Sequence, residues 1–239
     1  MKKVIINCVI GLMIILTAGY FVNELSKSRT FQFFGGLVTN VETNEKVVAL
    51  TFDDGPGVHT DEIIEILGGN NVPGTFYLIG SDIEKNKRDA EKLVQAGHEI
   101  GNHTYAHKRM VFKSPSFIKN EIEQTDALIR EIGYEGEITF RPPFGKRLML
   151  LPYYLSKQNR QTIYMNIEPE SYAEIATDST KIVDHVVENI EPGSIILLHV
   201  MYESRKESLE SVEGIITSLK DQGYTFVTVS ELLKYEKEK

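Results

Sequence analysis

His103 and His107, four residues apart in the stretch GNHTYAH, are the first side chains in this sequence whose spacing suggests chemistry. Imidazoles at that separation can share a helical face and converge on one ion. The His-Glu-x-x-His pattern does this with the intervening glutamate as general base. Thr104 stands in the glutamate's place here, so any base must come from elsewhere. Spacing alone leaves two readings open: a metal site, or a pair that is solvated or hydrogen-bonded in the core. The one cysteine, Cys8, lies in an apolar leader. Metal ligands in the folded domain are therefore His, Asp or Glu, and no disulfide or thiolate chemistry is expected.

Three other stretches carry comparable signals. Asp53 and Asp54 follow an apolar run in TFDDGP, and adjacent carboxylates at a strand end diverge, so that one can bind an ion while the other faces substrate. The alternative is a turn, which Asp-Gly and Gly-Pro favour, although a turn needs only one aspartate. Arg141 precedes Pro142, Pro143 and Phe144; two prolines fix the backbone, which either aims the guanidinium at a carboxylate or simply stiffens a surface loop. His199 closes the run IILL, where a satisfied core histidine is the commoner outcome.

Short β-rich runs at residues 47–52, 75–79, 99–101, 138–140, 162–167, 194–200 and 225–229 are the elements that would position these groups. They alternate with helical patterns at 61–67, 84–95, 116–132, 182–189 and 209–222, whose apolar stripes read as core packing. Such alternation implies parallel strands with crossover helices, either a doubly wound sheet or a barrel. No glycine-rich dinucleotide or phosphate loop is present, which removes most weight from nucleotide-cofactor folds. In an α/β barrel, functional groups gather at the carboxyl ends of the strands, and all four signals fall at such ends.

The chain has 239 residues, 41% of them hydrophobic, and a formal net charge of −8. That balance supports one sizeable core and argues against a nucleic-acid partner, which would need basic clusters. Lys2 and Lys3 precede an uncharged stretch at residues 4–22, long enough to cross a bilayer as a helix. The lysines would stay in the cytoplasm and the rest of the chain would face outward. A cleaved signal peptide is the alternative, with only a poor small-x-small site at Thr17-Ala18-Gly19. The expected organisation is a signal anchor or signal peptide at 1–22, a polar stalk at 23–45 and a catalytic domain at 46–239. The domain would lie outside the cell, membrane-bound or, after cleavage, secreted.

Taken together, Thr-Phe-Asp-Asp-Gly-Pro (51–56), His-Thr-x-x-His (103–107), Arg-x-Pro-Phe (141–144) and Leu-x-His (197–199) resemble the motifs of the polysaccharide deacetylases, the NodB-like carbohydrate esterases. The resemblance spans about residues 45–232, and its second motif has Ser or Thr where Thr104 stands. It implies a distorted (β/α) barrel, which the transmembrane helix read from the leader would precede. It also implies one divalent metal, zinc in most members, held by Asp54, His103 and His107 with a position open for water and the acetyl oxygen. Asp53 would be the general base, oriented by Arg141, and His199 the general acid. The backbone N–H near Phe144 would be a second oxyanion donor.

A fourth family motif, Asp-x-x-Asp-Trp, is altered: the corresponding stretch is Glu168-Pro169-Glu170-Ser171-Tyr172, and the chain has no tryptophan. Glu168 is the candidate to hold His199 in its charged form, and Tyr172 stands where an indole would line the groove. The expected activity is removal of N-acetyl groups from amino sugars of a cell-wall or other extracellular polysaccharide. Peptidoglycan is the first candidate, before chitin oligomers or an exopolysaccharide, and a monomer is expected. Two alternatives remain at this stage: a catalytically weakened glycan-binding member acting in envelope maturation, and a metal-dependent amidase on a non-carbohydrate amide.

Overall fold

A computed structural model describes residues 2–237; Met1, Glu238 and Lys239, the outer ends of the leader and of the catalytic domain, lie outside the described residues. The strands are β1 (Leu37–Val38), β2 (Val47–Asp53), β3 (Thr75–Leu78), β4 (Glu99–Asn102), β5 (Thr162–Ile163), β6 (Ile195–Leu198) and β7 (Thr225–Phe226). The helices are α1 (Lys2–Ser26), α2 (Thr60–Gly69), α3 (Gly80–Lys85), α4 (Lys87–Gln95), α5 (Pro115–Glu131), α6 (Leu150–Lys157), α7 (Ser179–Asn189), α8 (Lys206–Asp221) and α9 (Val229–Leu232).

Every residue of β2 is buried because both of its faces are covered. Val48, Leu50 and Phe52 pack with Phe76, Leu78, Ile196 and Leu198 beneath the helices. Val47 and Ala49 join Tyr77, Ile163, Ile195 and Leu197 in a separate cluster, the barrel interior. Two-residue alternation then puts Thr51 and Asp53 on the interior face, above Ala49. Parallel pairing runs in the order β4-β3-β2-β6, with β7 on the first two residues of β2. Single parallel bridges Ile167↔Ile196, Phe140↔Thr162 and Asn102↔Phe140 carry the ring back to β4. The result is the expected (β/α) barrel, distorted where its ladder thins to single bridges.

That thinning separates the observed strands from the expected ones. Residues 138–140 contribute only the two bridges of Phe140, and after Arg141 two prolines offer no N–H to extend the ladder. Within 162–167 the ladder stops at Ile163, and the Asn166 side chain takes over by accepting the Ile195 N–H at 2.9 Å. The helix expected over 84–95 is broken at Asn86 (φ −125°, ψ 47°). There the side-chain amide donates to the Pro56 carbonyl at 3.0 Å and ties the break to the Asp-Asp-Gly-Pro loop. Helix α6 was not expected; its Pro152 falls in the first turn, where a missing N–H is harmless.

The segment read as a stalk, 23–45, lies along the domain. Its β1 pairs in parallel with β5, and α1 runs directly into contacts with residues 145–147. The buried Arg147 is their centre. Its backbone N–H donates to the Ser26 carbonyl at 2.9 Å. Its guanidinium reaches the carbonyls of Ser28 (2.6 Å), Phe31 (3.3 Å) and Gly145 (3.1 Å) and the Gln32 side chain (3.1 Å).

Gly101 in β4 makes room for the interior ring of Tyr77, since a Cβ there would lie 2.4 Å from that ring. Gly101→Ala is therefore expected to lower the unfolding free energy by about 1–3 kcal/mol, the usual overpacking range, in chemical denaturation. It should also loosen whatever rests on Tyr77.

Candidate active site

At the end of β2 the backbone leaves the extended region: Asp53 still points into the barrel, while Asp54 has φ 72° and turns away. Among the described residues seven non-glycine positions have positive φ, and four of them are Asp54, Thr104 (69°), His107 (49°) and Phe144 (57°). Left-handed backbone is costly for such residues, above all for β-branched Thr104, and its concentration in three motifs marks a site held by its surroundings. His103 and His107 sit on the loop after β4, not on a helix, so the loop's folding brings the rings together, 5.0 Å apart.

Asp54 Oδ1 lies 3.4 Å from His107 Nε2 and 3.8 Å from His103 Nε2. The three candidate ligand atoms lie within 4.8 Å of one another. Asp54 Oδ1 is buried and has no hydrogen-bond partner among the described residues, a cost that a cation would remove. His103 Nδ1 is 2.8 Å from the Arg141 carbonyl, which accepts its proton and leaves the Nε2 lone pair facing Asp54. One carboxylate and two imidazoles so arranged fit a divalent transition metal.

Asp53 is nearly fully buried, and Arg141 Nη1 donates to its Oδ1 at 2.7 Å. The same nitrogen donates to Thr51 Oγ1 (2.8 Å), Nη2 donates to the Tyr164 carbonyl (3.0 Å), and the guanidinium lies over the Tyr77 ring at 4.1 Å. Burial would raise the Asp53 carboxyl, but the charge of Arg141, helped by His103 and His199, holds it below the ordinary carboxylate value. Asp53 is thus ionised, with Oδ1 engaged and Oδ2 directed toward His103.

His199 follows β6, and Glu170 supports it. One Glu170 oxygen bonds His199 Nδ1, the other accepts the Ser208 hydroxyl of α8, and both lie 3.1 Å from the His199 backbone N–H. Burial alone would lower the imidazole. The Glu170 hydrogen bond and charge outweigh it, with help from Asp53 and Asp54, and His199 is raised to about 9. Glu168, the expected partner, instead meets Arg29 at 2.5 Å on the cavity wall. The turn at Pro169–Ser171 explains the change, because it points residue 170 rather than 168 toward β6. Tyr172 is also displaced from its expected place: it rests on His185 at 5.1 Å and is not among the cavity-lining residues. Phe144 does line the cavity, half-exposed, with its ring 4.7 Å from His107.

Asp53, Asp54, His103, His107, Arg141, Phe144, Glu170 and His199 all open on one cavity of about 520 Å³. The family model for polysaccharide deacetylases matches residues 40–163. The chain belongs to the polysaccharide deacetylase family. A peptidoglycan-N-acetylglucosamine deacetylase of Bacillus cereus is 35% identical over 205 residues, spanning 84% of this chain and 95% of the relative. The crystal structure of the Bc1960 peptidoglycan N-acetylglucosamine deacetylase superposes with a TM-score of 0.78 at 30% identity, over 85% of this chain and 95% of that one. A family pseudoenzyme from Bacillus anthracis, BA3943, superposes with a TM-score of 0.75 at 26% identity, over 86% and 72%. Membership in this deacetylase family therefore has to be read together with the state of the individual site.

Several contributors escaped the sequence reading. Glu170 stood inside the altered motif but was passed over for Glu168, and Ser208 lies on a helix whose polar residues carry no signal. Tyr77 looked like an ordinary strand aromatic, although Gly101 opposite it was a usable hint.

Proposed function

We propose that this chain is a metal-dependent N-deacetylase that removes acetyl groups from the amino sugars of peptidoglycan, outside the cell and tethered by α1. The carrying observation is the convergence on one cavity of a carboxylate–imidazole–imidazole cluster, an ionised buried carboxylate and a raised imidazole. The relatives' activity on peptidoglycan favours that polymer over other acetylated glycans.

Asp54, His103 and His107 would hold the cation, zinc being suited to two imidazoles and one carboxylate. Bound there, it supplies Lewis acidity toward the acetamide carbonyl and the attacking water. Asp53 receives the water's proton at Oδ2 while Arg141 keeps Oδ1 fixed. The new C–O bond forms as the carbonyl becomes tetrahedral. His199, fixed by Glu170 through Nδ1, donates its Nε2 proton to the amine nitrogen as the C–N bond breaks. Acetate and a free amino sugar result, with no covalent enzyme intermediate. The Phe144 backbone N–H is the proposed second donor to the developing oxyanion.

The altered fourth motif is the ground for a weakened member, and the Glu170 contact weighs against that reading by supporting His199. Acetate release from peptidoglycan and from chitin oligomers by metal-reconstituted protein tests the proposal, with Asp53→Asn as control. That variant is expected to lose about 10²–10⁴-fold in kcat, the range for a general base. An inert wild-type protein, or an active Asp53→Asn, would refute the assignment.

A further inference from the structure

Just after the second metal-site histidine, the chain forms a loop, Lys108-Arg109-Met110-Val111-Phe112-Lys113, that has no part in the chemistry above. Its tip is the most exposed large apolar side chain of the folded domain: Phe112 is 82% accessible, on left-handed backbone at φ 56°. Solvent exposure of a whole phenyl ring forfeits about 1.5–3 kcal/mol of burial, and here the backbone adds strain to that loss. Some contact outside the described residues would recover it.

The neighbours of this tip identify the contact. Val111, Phe112 and Arg109 border a crevice whose other wall is Ala18, Gly19 and Val22 of α1. Those three belong to the apolar stretch 4–22, which is about 28 Å long as a helix and matches the hydrocarbon core of a bilayer. Ala18 lies one turn before the outward end of that stretch, so a loop touching it reaches roughly 5–10 Å into the headgroup and acyl boundary, the depth of interfacial segments. The orientation is fixed on the protein side by Arg147 and by Lys146, whose Nζ donates to Asn23 Oδ1 at 3.0 Å.

The charge pattern agrees. Lys108 and Lys113 flank the tip, and Arg109, Lys27 and Lys146 gather beside it in a chain of net charge −8. Among the described residues, Arg109 and Lys146 have no carboxylate partner; Arg109 rests on the Phe144 ring at 5.3 Å. Glu24 pairs with Lys27 at 2.8 Å and leaves the other cations of the cluster in excess, which suits the phosphates of anionic lipid headgroups.

We propose that the 108–113 loop is a second membrane contact, with Phe112 inserted beside α1 into the outer leaflet and the surrounding cations on lipid phosphates. The catalytic domain then lies on the bilayer instead of swinging from a tether. The cavity opens at the membrane surface, and the glycan within reach is the strand nearest the lipid. This inference rests on α1 remaining as an anchor.

The chain has no tryptophan, so Phe112→Trp introduces a single fluorescent reporter at the tip. The full chain would be reconstituted in vesicles of phosphatidylglycerol and phosphatidylethanolamine. Expected are blue-shifted emission, quenching by acyl-brominated lipids and protection from iodide. Tyr235→Trp, near the opposite end of the strands, is the comparison and should stay red, unquenched by lipid and open to iodide. The intact mass of the protein extracted from cell membranes separates the two possible failures. A chain lacking the leader would overturn the anchor and this contact together. An intact chain whose tip reporter behaves like that of Tyr235→Trp would overturn the contact alone.

Discussion

Glu170→Gln is expected to reduce deacetylation by about 10²–10⁴-fold while leaving metal content unchanged, because it removes the group that keeps His199 protonated and aimed. Glutamine retains the shape but not the charge. In the wild type, burial lowers the imidazole and Glu170 more than compensates, so His199 is raised to about 9 and remains an acid throughout the neutral range. The basic limb of kcat against pH should therefore lie above the ordinary imidazole value and move down in the variant. A cation on Asp54 cancels that residue's share of the shift, so the displacement between wild type and variant isolates the part due to Glu170. The linkage to stability has a definite sign. A raised histidine stabilises the fold fully below its unfolded value of 6.5, and this contribution is lost as pH rises through about 9. Glu170, held below its ordinary value of 4.5 despite burial, contributes above that value and loses its contribution as pH falls through the depressed one. The pair should thus be most stabilising between these limits, with a flatter stability–pH curve in the variant. Glu168→Gln removes only a partly exposed pair with Arg29 and should leave the pH profile in place. If the two variants behaved alike, Glu170 would have no special role.

The second large effect concerns Asp54. Asp54→Ala deletes the one carboxylate of the candidate metal cluster, and bound metal is expected to fall from one ion per chain to a trace in elemental analysis. The metal's share of transition-state stabilisation is several kcal/mol, so at about 1.4 kcal/mol per tenfold the rate should drop roughly a thousandfold or more. A readout independent of turnover is available in thermal stability. A ligand at a thousand times its Kd stabilises the native state by about 4 kcal/mol. Zinc should therefore raise the melting temperature of wild type and leave Asp54→Ala unmoved. Zinc-dependent stabilisation surviving in Asp54→Ala would place the ion elsewhere.

What could be read in advance followed from periodicity and from residue type. The strand at 47–52 and the stripe through Ile118, Ile122 and Ile129 express packing demands that each local sequence states by itself. The motif residues were visible because carboxylate and imidazole at strand ends have few other uses. Less visible was everything decided between distant segments. Whether Glu168 or Glu170 meets His199 depends on one turn after Pro169, and both glutamates look alike in sequence. The strand-end placement of His103 and His107 could be read in advance, but not the loop conformation, because i,i+4 spacing is equally compatible with a helix and with a loop folded through left-handed residues at 104 and 107. The stretch at 23–45 looked like a linker because its polar residues bond to partners more than a hundred positions away, as with Gln32 and Arg147.

Arg147 also sets how much of the N-terminal segment the folded domain needs. Proteolysis at residues 17–19 would release a fragment that still holds Ser26, Ser28, Phe31 and Gln32, and with them most of the acceptors of a buried guanidinium. A cut after residue 36 would leave that cation with the Gly145 carbonyl alone, directly beside the Phe144 wall of the cavity. Losing the partners of a buried charge typically costs 3–5 kcal/mol. A shortened chain that keeps the catalytic domain intact therefore has to retain residues 28–36, which carry the distant acceptors of that guanidinium.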